Sequence, residues 1–166
     1  SGIGGRPGGT ESVNGDTARD LDPADRNHVI RVGDVIAPRG NVAKFNANIR
    51  AIELARKLTR ERRNPTPEEK SVLVQYTGWG WGKEFFNEAN GRYARQNRIL
   101  KDLLGEEEYA KARRSTLNAH YTSPEVITAI WKGLRRLGFT GGRVLEPAAG
   151  IGHFLGLMPE DMASKS

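Results

Sequence analysis

The chain has 166 residues, with 37% hydrophobic and 28% charged residues and a formal net charge of +6. Its length suits one ordinary domain, or a small domain with a tail. It has no cysteine, which excludes disulfide frameworks, thiolate metal centres and cysteine nucleophiles. No apolar run reaches membrane-spanning length or has the form of a secretory signal, so no membrane partner and a cytoplasmic location are expected. The cationic excess favours polyanions, DNA first among them, with a solubilising surface as the plain alternative.

In chain order, residues 1–27 are rich in glycine and poor in large apolar side chains, and are read as a flexible lead-in unable to offset its own ordering entropy. His28 to Ala37, "HVIRVGDVIA", has β-branched runs on both sides of Gly33-Asp34 and suggests a small hairpin, marginal by itself in water. From Lys44 the period becomes helical. Phe45, Ile49, Ile52, Ala55 and Leu58 share one face, and Arg50, Arg56, Lys57, Arg60, Arg62 and Arg63 the other. The cationic end of that helix, "RKLTRERR", either tracks a phosphate backbone or is an ordinary solvated helix terminus. Next, "NPTPEE" has a helix-start pattern: Thr66 as cap, Pro67 at the first position, Glu68 and Glu69 at the positive end.

Gly78, Gly80 and Gly82 then alternate with Trp79 and Trp81 in "YTGWGWGKEFF". Glycines at that density break a helix. The indoles, with Lys83 beside them, would either stack on bases or anchor the loop in a small core, and anchoring is favoured. Two further helices are expected over 92–104 and 106–117, divided by Gly105. The clearest helical pattern is "TSPEVITAIWKGLRRLG": Ser123 caps it, Pro124 opens it, and Gly138 closes it. Val126, Ile127, Ile130, Trp131, Leu134 and Leu137 are its expected buried stripe. A short strand through Val144 and Leu145 should follow, then a glycine turn and a last helix from about Ile151. His28, His120 and His153 stand apart from other metal-ligating residue types, so no metal site is expected, and His153 reads as a surface residue at a helix start.

A glycine-spaced strand–turn–helix admits a ligand close to the backbone and offers free N–H groups at a helix start. Alone it fits dinucleotide, phosphate or adenosyl ligands, and also tight packing without a ligand. The acid entering this turn, Glu146, repels phosphate and suits a ligand with hydroxyls or a cationic end. S-adenosylmethionine has both.

"HYTSPEVITAIWKGL" followed by "GGRVLEPAAGIGHFL" resembles the class I, S-adenosylmethionine-dependent N6-adenine DNA methyltransferases over residues 118–158. In that family a Tyr-Thr-Pro-like segment opens the cofactor pocket and a Leu-Glu-Pro-x-x-Gly-x-Gly-x-Phe segment forms its floor. The helical region before them is similar to the lead-in of large phage- and plasmid-type proteins that join a methyltransferase-like domain to a helicase-like one. The resemblance implies that Tyr121 and Thr122 line the methionine end of the cofactor. It sets Glu146 and Pro147 at the turn with Glu146 facing the amino group, Ala149, Gly150 and Gly152 along the backbone side, and Phe154 packed beneath. One departure is Ser123 standing between Thr122 and Pro124.

Such enzymes also need an acid for the ribose hydroxyls, about 20 residues beyond the glycine turn in the analogous dinucleotide fold, and an Asn-Pro-Pro-aromatic segment for a flipped adenine. Fourteen residues follow Gly152, and neither feature is among them. Asn64-Pro65-Thr66-Pro67 lacks the aromatic and reads as a helix start.

The expected fold is therefore mainly α with a small β element. A lead-in over 1–27 precedes a hairpin and helical region over 28–117, then an incomplete methyltransferase cofactor unit, Rossmann-like, over 118–166. The expected function is the N-terminal segment of a DNA adenine-N6 methyltransferase-like protein. It would carry part of the S-adenosylmethionine pocket, be inactive alone, and be completed by downstream segments or a partner protein. Cofactor contacts fall on Tyr121, Thr122, Glu146, Pro147, Ala149, Gly150 and Gly152. Nucleic-acid contacts fall on Arg56, Lys57, Arg60, Arg62, Arg63, Trp79, Trp81 and Lys83. The alternative is a stand-alone basic helical module that binds DNA or protein and keeps the glycine turn only as packing.

Overall fold

A computed structural model describes residues 28–31, 33–117, 119, 121–147 and 149–165; the expected lead-in over 1–27 lies outside them. Asn41–Glu61 forms α1, which buries Phe45, Ala47, Asn48, Ala51 and Leu58. Its helix ends at Arg62, in the left-handed conformation, whose N–H reaches the carbonyls of Leu58 and Thr59.

Helix α2, Pro67–Leu73, starts on a complete capping box: the Thr66 hydroxyl accepts from the Glu69 N–H, and the Glu69 carboxylate accepts from the Thr66 N–H. This satisfies two of the four orphan donors of a helix start, and Pro67 lacks a third. The tetrapeptide at 64–67 is thus a helix entry. Helices α1 and α2 pack on each other.

After two 3-10 turns, Lys83–Phe86 and Gly91–Tyr93, comes α3, Ala94–Ser115. Gly105 interrupts it at φ 68°, ψ 178°, a backbone region open essentially to glycine alone, so the expected division into two helices appears as a kink. Phe45, Trp79, Phe85, Phe86, Tyr93, Leu100 and Tyr109 form the larger core. Asn97 is buried within it and donates to the Phe85 carbonyl at 2.9 Å and the Tyr109 hydroxyl at 2.8 Å.

Helix α4, Pro124–Arg136, is capped by Ser123 as expected. With the short helices α5, His153–Gly156, and α6, Glu160–Ala163, it builds a second core of Ile127, Trp131, Met158 and Met162. Phe154 packs on Trp131 with centroids 5.3 Å apart, and its carbonyl accepts from the Trp131 indole at 2.9 Å. The buried stripe of α4 is narrower than its sequence pattern. Ile127 and Trp131 are buried and Leu134 partly so, but Val126, Ile130 and Leu137 are exposed. The two small helices cover only one side of α4, so the outer half of its apolar arc meets no partner.

The protein is mainly helical, and no strand occurs among the described residues. Both β expectations therefore fail there. Arg31 to Asp34 forms a turn closed by the Asp34 N–H to the Arg31 carbonyl at 3.1 Å and the Arg31 N–H to the Asp34 carboxylate at 2.8 Å. Leu145 is 88% exposed and Val144 is exposed, in an irregular segment. The physical reason is shared: a ladder needs a neighbour, and neither segment has one. What the first segment does instead is tie the two halves together, the Ile30 N–H donating to the Gly156 carbonyl at 2.8 Å.

Candidate cofactor site

The "GWGWG" loop is fastened by a residue that sequence reading passed over. Asn48, fully buried on α1, donates to the Gly78 carbonyl at 2.6 Å and accepts from the Thr77 N–H at 2.8 Å. The Thr77 hydroxyl donates to the same oxygen at 3.3 Å and accepts from the Trp81 indole N–H at 3.1 Å. A chain of polar contacts therefore runs from α1 to one edge of Trp81. Its only signal in the sequence was an asparagine on the apolar face of a helix.

This loop and the segment before α4 meet closely. A Cβ on Gly78 would run into the Tyr121 ring, and one on Gly80 into the Ala119 carbonyl oxygen. These glycines break the helix, as expected, and they also allow Ala119 and Tyr121 to lie against the loop. Burial, with a smaller contribution from the Tyr121 phenol, pushes the Tyr76 hydroxyl up to about 12.

Between them opens a cavity of about 330 Å³. Tyr121 and Thr122 form one side, Trp81 and Lys44 another, and Ile151 and His153 a third. The Lys44 ammonium stands 5.5 Å from the Trp81 ring centroid. Residues from the N-terminal helical region, from the segment before α4 and from the start of α5 thus border one space.

The remaining predicted cofactor residues divide. Gly152 caps α5 at φ 78°, its N–H donating to the Ala149 carbonyl at 2.7 Å, and a Cβ there would meet open space. It lines a neighbouring cavity with His28 and His153. Glu146, half-buried, and the exposed Pro147, Ala149 and Gly150 do not line the cavity at Tyr121. His153 is a correction: it is buried, with its Nε2 3.0 Å from the Val74 carbonyl oxygen. Burial lowers its pKa, and the bond to Val74 opposes that only in part. The end of α2 covers the imidazole, which a sequence pattern could not foresee.

The predicted nucleic-acid residues are also sorted by their partners. Trp79 is 3% exposed and packs on Phe45 and Phe86, so it anchors the core and cannot stack on a base. Trp81 is half-buried at the cavity wall. Arg56 donates to the Leu103 carbonyl and, at 2.5 Å, to the Glu108 carboxylate, joining α1 to α3. Arg63 bridges Glu61 and Glu69 at 2.6 Å each; the carboxylates raise its pKa, and Glu69 is drawn down to about 2 by Arg63 first and the Thr66 N–H second. Lys57, Arg60, Arg62 and Lys83 remain exposed. Half of the "RKLTRERR" guanidinium charge that looked like a phosphate track is therefore spent within the fold.

No helix among the described residues is long and apolar enough to cross a membrane. Set against protein-family models, curated proteins and solved structures, the chain matches none.

Proposed function

We propose that this chain carries part of the methyl-donor site of a DNA adenine-N6 methyltransferase-like protein, with downstream segments or a partner completing the fold. One observation carries the reading: Tyr121 and Thr122 line the same cavity as Ile151 and His153, so the first of the two segments that suggested an adenosyl site meets the far end of the second, with Glu146 to Gly150 outside that space. Concave, largely apolar sites with a few polar groups are the usual form of cofactor pockets.

The wall suits the ligand chemistry. The Trp81 ring offers an aromatic face for the adenine, Thr122 a hydroxyl, and Lys44 an ammonium for the carboxylate. The open space beside Gly152 leaves room at a helix start. S-adenosylmethionine would supply an electrophilic methyl group on sulfur; this chain's residues would hold and orient it. The resemblance gives Glu146 to the cofactor's ammonium and Pro147, Ala149 and Gly150 to the rim, although none of the four lines this cavity as it stands. In this reading Val144 and Leu145 form the edge onto which further strands of a Rossmann-like sheet would add.

The test is a titration of the chain with S-adenosylmethionine, followed by Trp fluorescence and by backbone amide shifts. The expected result is weak binding with shifts at Trp81, Tyr121, Thr122 and Gly152, reduced further by Glu146→Gln. No response at millimolar ligand, or shifts elsewhere, would remove the cofactor assignment. An unchanged affinity in Glu146→Gln would remove that acid from the site. Methyl transfer to DNA by this chain alone would overturn the reading of an incomplete site.

A further inference from the structure

A second concavity, about 620 Å³ in volume, lies between the 3-10 turn Lys83–Phe86 and the C-terminal half of α3. It shares no lining residue with the cavity at Tyr121. Its floor is Phe86 and Tyr109, both buried in the larger core, so the groove is built directly on that core. Lys83, Arg113 and Arg114 line it and are exposed. None of the three side chains has a carboxylate within ion-pair distance among the described residues.

The contrast with α1 is instructive. There Arg56 and Arg63 are bound to Glu108, Glu61 and Glu69; here the cations face one open groove. Opposing them are a single lining carboxylate, Glu84, and the carbonyl end of α3, which carries a partial negative charge. Glu88 nearby is engaged by Lys101 at 2.8 Å. The lining side chains thus carry a surplus of two positive charges. Leu117 at the rim is 62% exposed, a lone apolar side chain that is too little to anchor a protein segment. The aromatic floor is buried and cannot stack on bases, so what the groove offers a ligand is its surplus of positive charge.

We infer that the groove of Lys83, Arg113 and Arg114 is a binding track for the phosphodiester backbone of nucleic acid, used without base readout. The inference shares its ligand with the proposed function but does not depend on methyl-donor binding. It moves the polyanion surface from the end of α1 to α3.

Three phosphates neutralised on duplex DNA imply a logarithmic salt slope of about −2.7, or about a 40-fold loss of affinity between roughly 50 and 200 mM salt; single strands give about −2. The experiment is fluorescence anisotropy of labelled duplex and single strands with the chain and two equal-charge variants. Lys83→Ala/Arg113→Ala/Arg114→Ala should lose most of that slope, whereas Lys57→Ala/Arg60→Ala/Arg62→Ala should keep it, with helicity by circular dichroism unchanged in both. Arg113→Lys/Arg114→Lys retains the charge and should retain the slope. A readout free of substitutions is amine labelling of the unmodified chain, where added DNA should protect Lys83 and leave Lys57 reactive. Equal losses in the two triple variants, equal labelling of the two lysines, or no salt-dependent binding would overturn the inference. So would displacement of the DNA by polyglutamate at equal charge, which would make the groove an acidic-peptide site. A cofactor titration that fails while the groove binds DNA would sink only the methyl-donor reading.

Discussion

Asn48 shows how much one polar side chain organises. Its carboxamide is fully buried and serves Thr77 and Gly78 at once, with Trp81 hanging from Thr77. Truncating it leaves a buried amide N–H and a buried carbonyl unpaired, each costing about 1–3 kcal/mol. Asn48→Ala should therefore destabilise the protein by about 2–4 kcal/mol in urea unfolding and loosen the Trp81 side of the cavity at Tyr121. A loss below about 1 kcal/mol would mean that the loop is held by its aromatic contacts alone. Elsewhere, residue-level expectations fared according to how local their cause was. Thr66, Pro67 and Ser123 do what their identities imply, because a cap is satisfied by atoms two or three residues away. Trp79 is the core anchor that its setting favoured, whereas His153 could not be placed this way, since what covers it comes from a distant part of the chain.

At the scale of elements, the glycine-rich loop gives the sharpest contrast. A Cβ on Gly80 would collide with the Ala119 backbone, whereas one on Gly82 would sit 3.5 Å from its nearest neighbours, an ordinary contact. Gly80→Ala should cost about 1–3 kcal/mol, as overpacking does, and Gly82→Ala less than about 1 kcal/mol. Thermal denaturation of the two variants side by side checks this; equal effects would show that Ala119 does not rest on the loop. The helices were legible because 3.6-residue periodicity and caps lie within a single turn or two. The strands were not. Alternation and β-branching mark a segment as able to pair, but pairing is a property of two segments, and Val144 with Leu145 found no second one here.

At the scale of the whole molecule, a few contacts join the N-terminal helical region to the C-terminal one: His153 to Val74, Ile30 to Gly156, and Ala119 and Tyr121 against the loop. His153 makes that junction sensitive to pH. Its folded pKa lies below the ordinary 6.5, chiefly through burial, so the folded state favours the neutral ring. The unfolded state binds the proton first as pH falls, and stability is lost from about 6.5 downward until the folded pKa is passed. The carboxylates held below 4.5, among them Glu68, Glu69 and Glu88, act only in a lower window, and Glu68 and Glu88 are exposed. His153→Gln, which cannot titrate, should flatten the stability profile between pH 6.5 and that lower window; an unchanged slope in chemical denaturation across it would clear His153 of the role.

By itself the sequence determined which segments are helical and where they are capped or bent, and it raised, through a resemblance alone, the expectation of an adenosyl ligand at Tyr121, Thr122 and the Gly150–Gly152 turn. All of these depend on neighbours within a few positions. Only the tertiary structure decided that Tyr121 and His153 share a cavity with Lys44 and Trp81, that Arg56 and Arg63 are consumed by ion pairs, and that Lys83, Arg113 and Arg114 are left facing one groove. Burial and charge pairing belong to surfaces brought together from far apart in the chain, and no local pattern records which surfaces will meet.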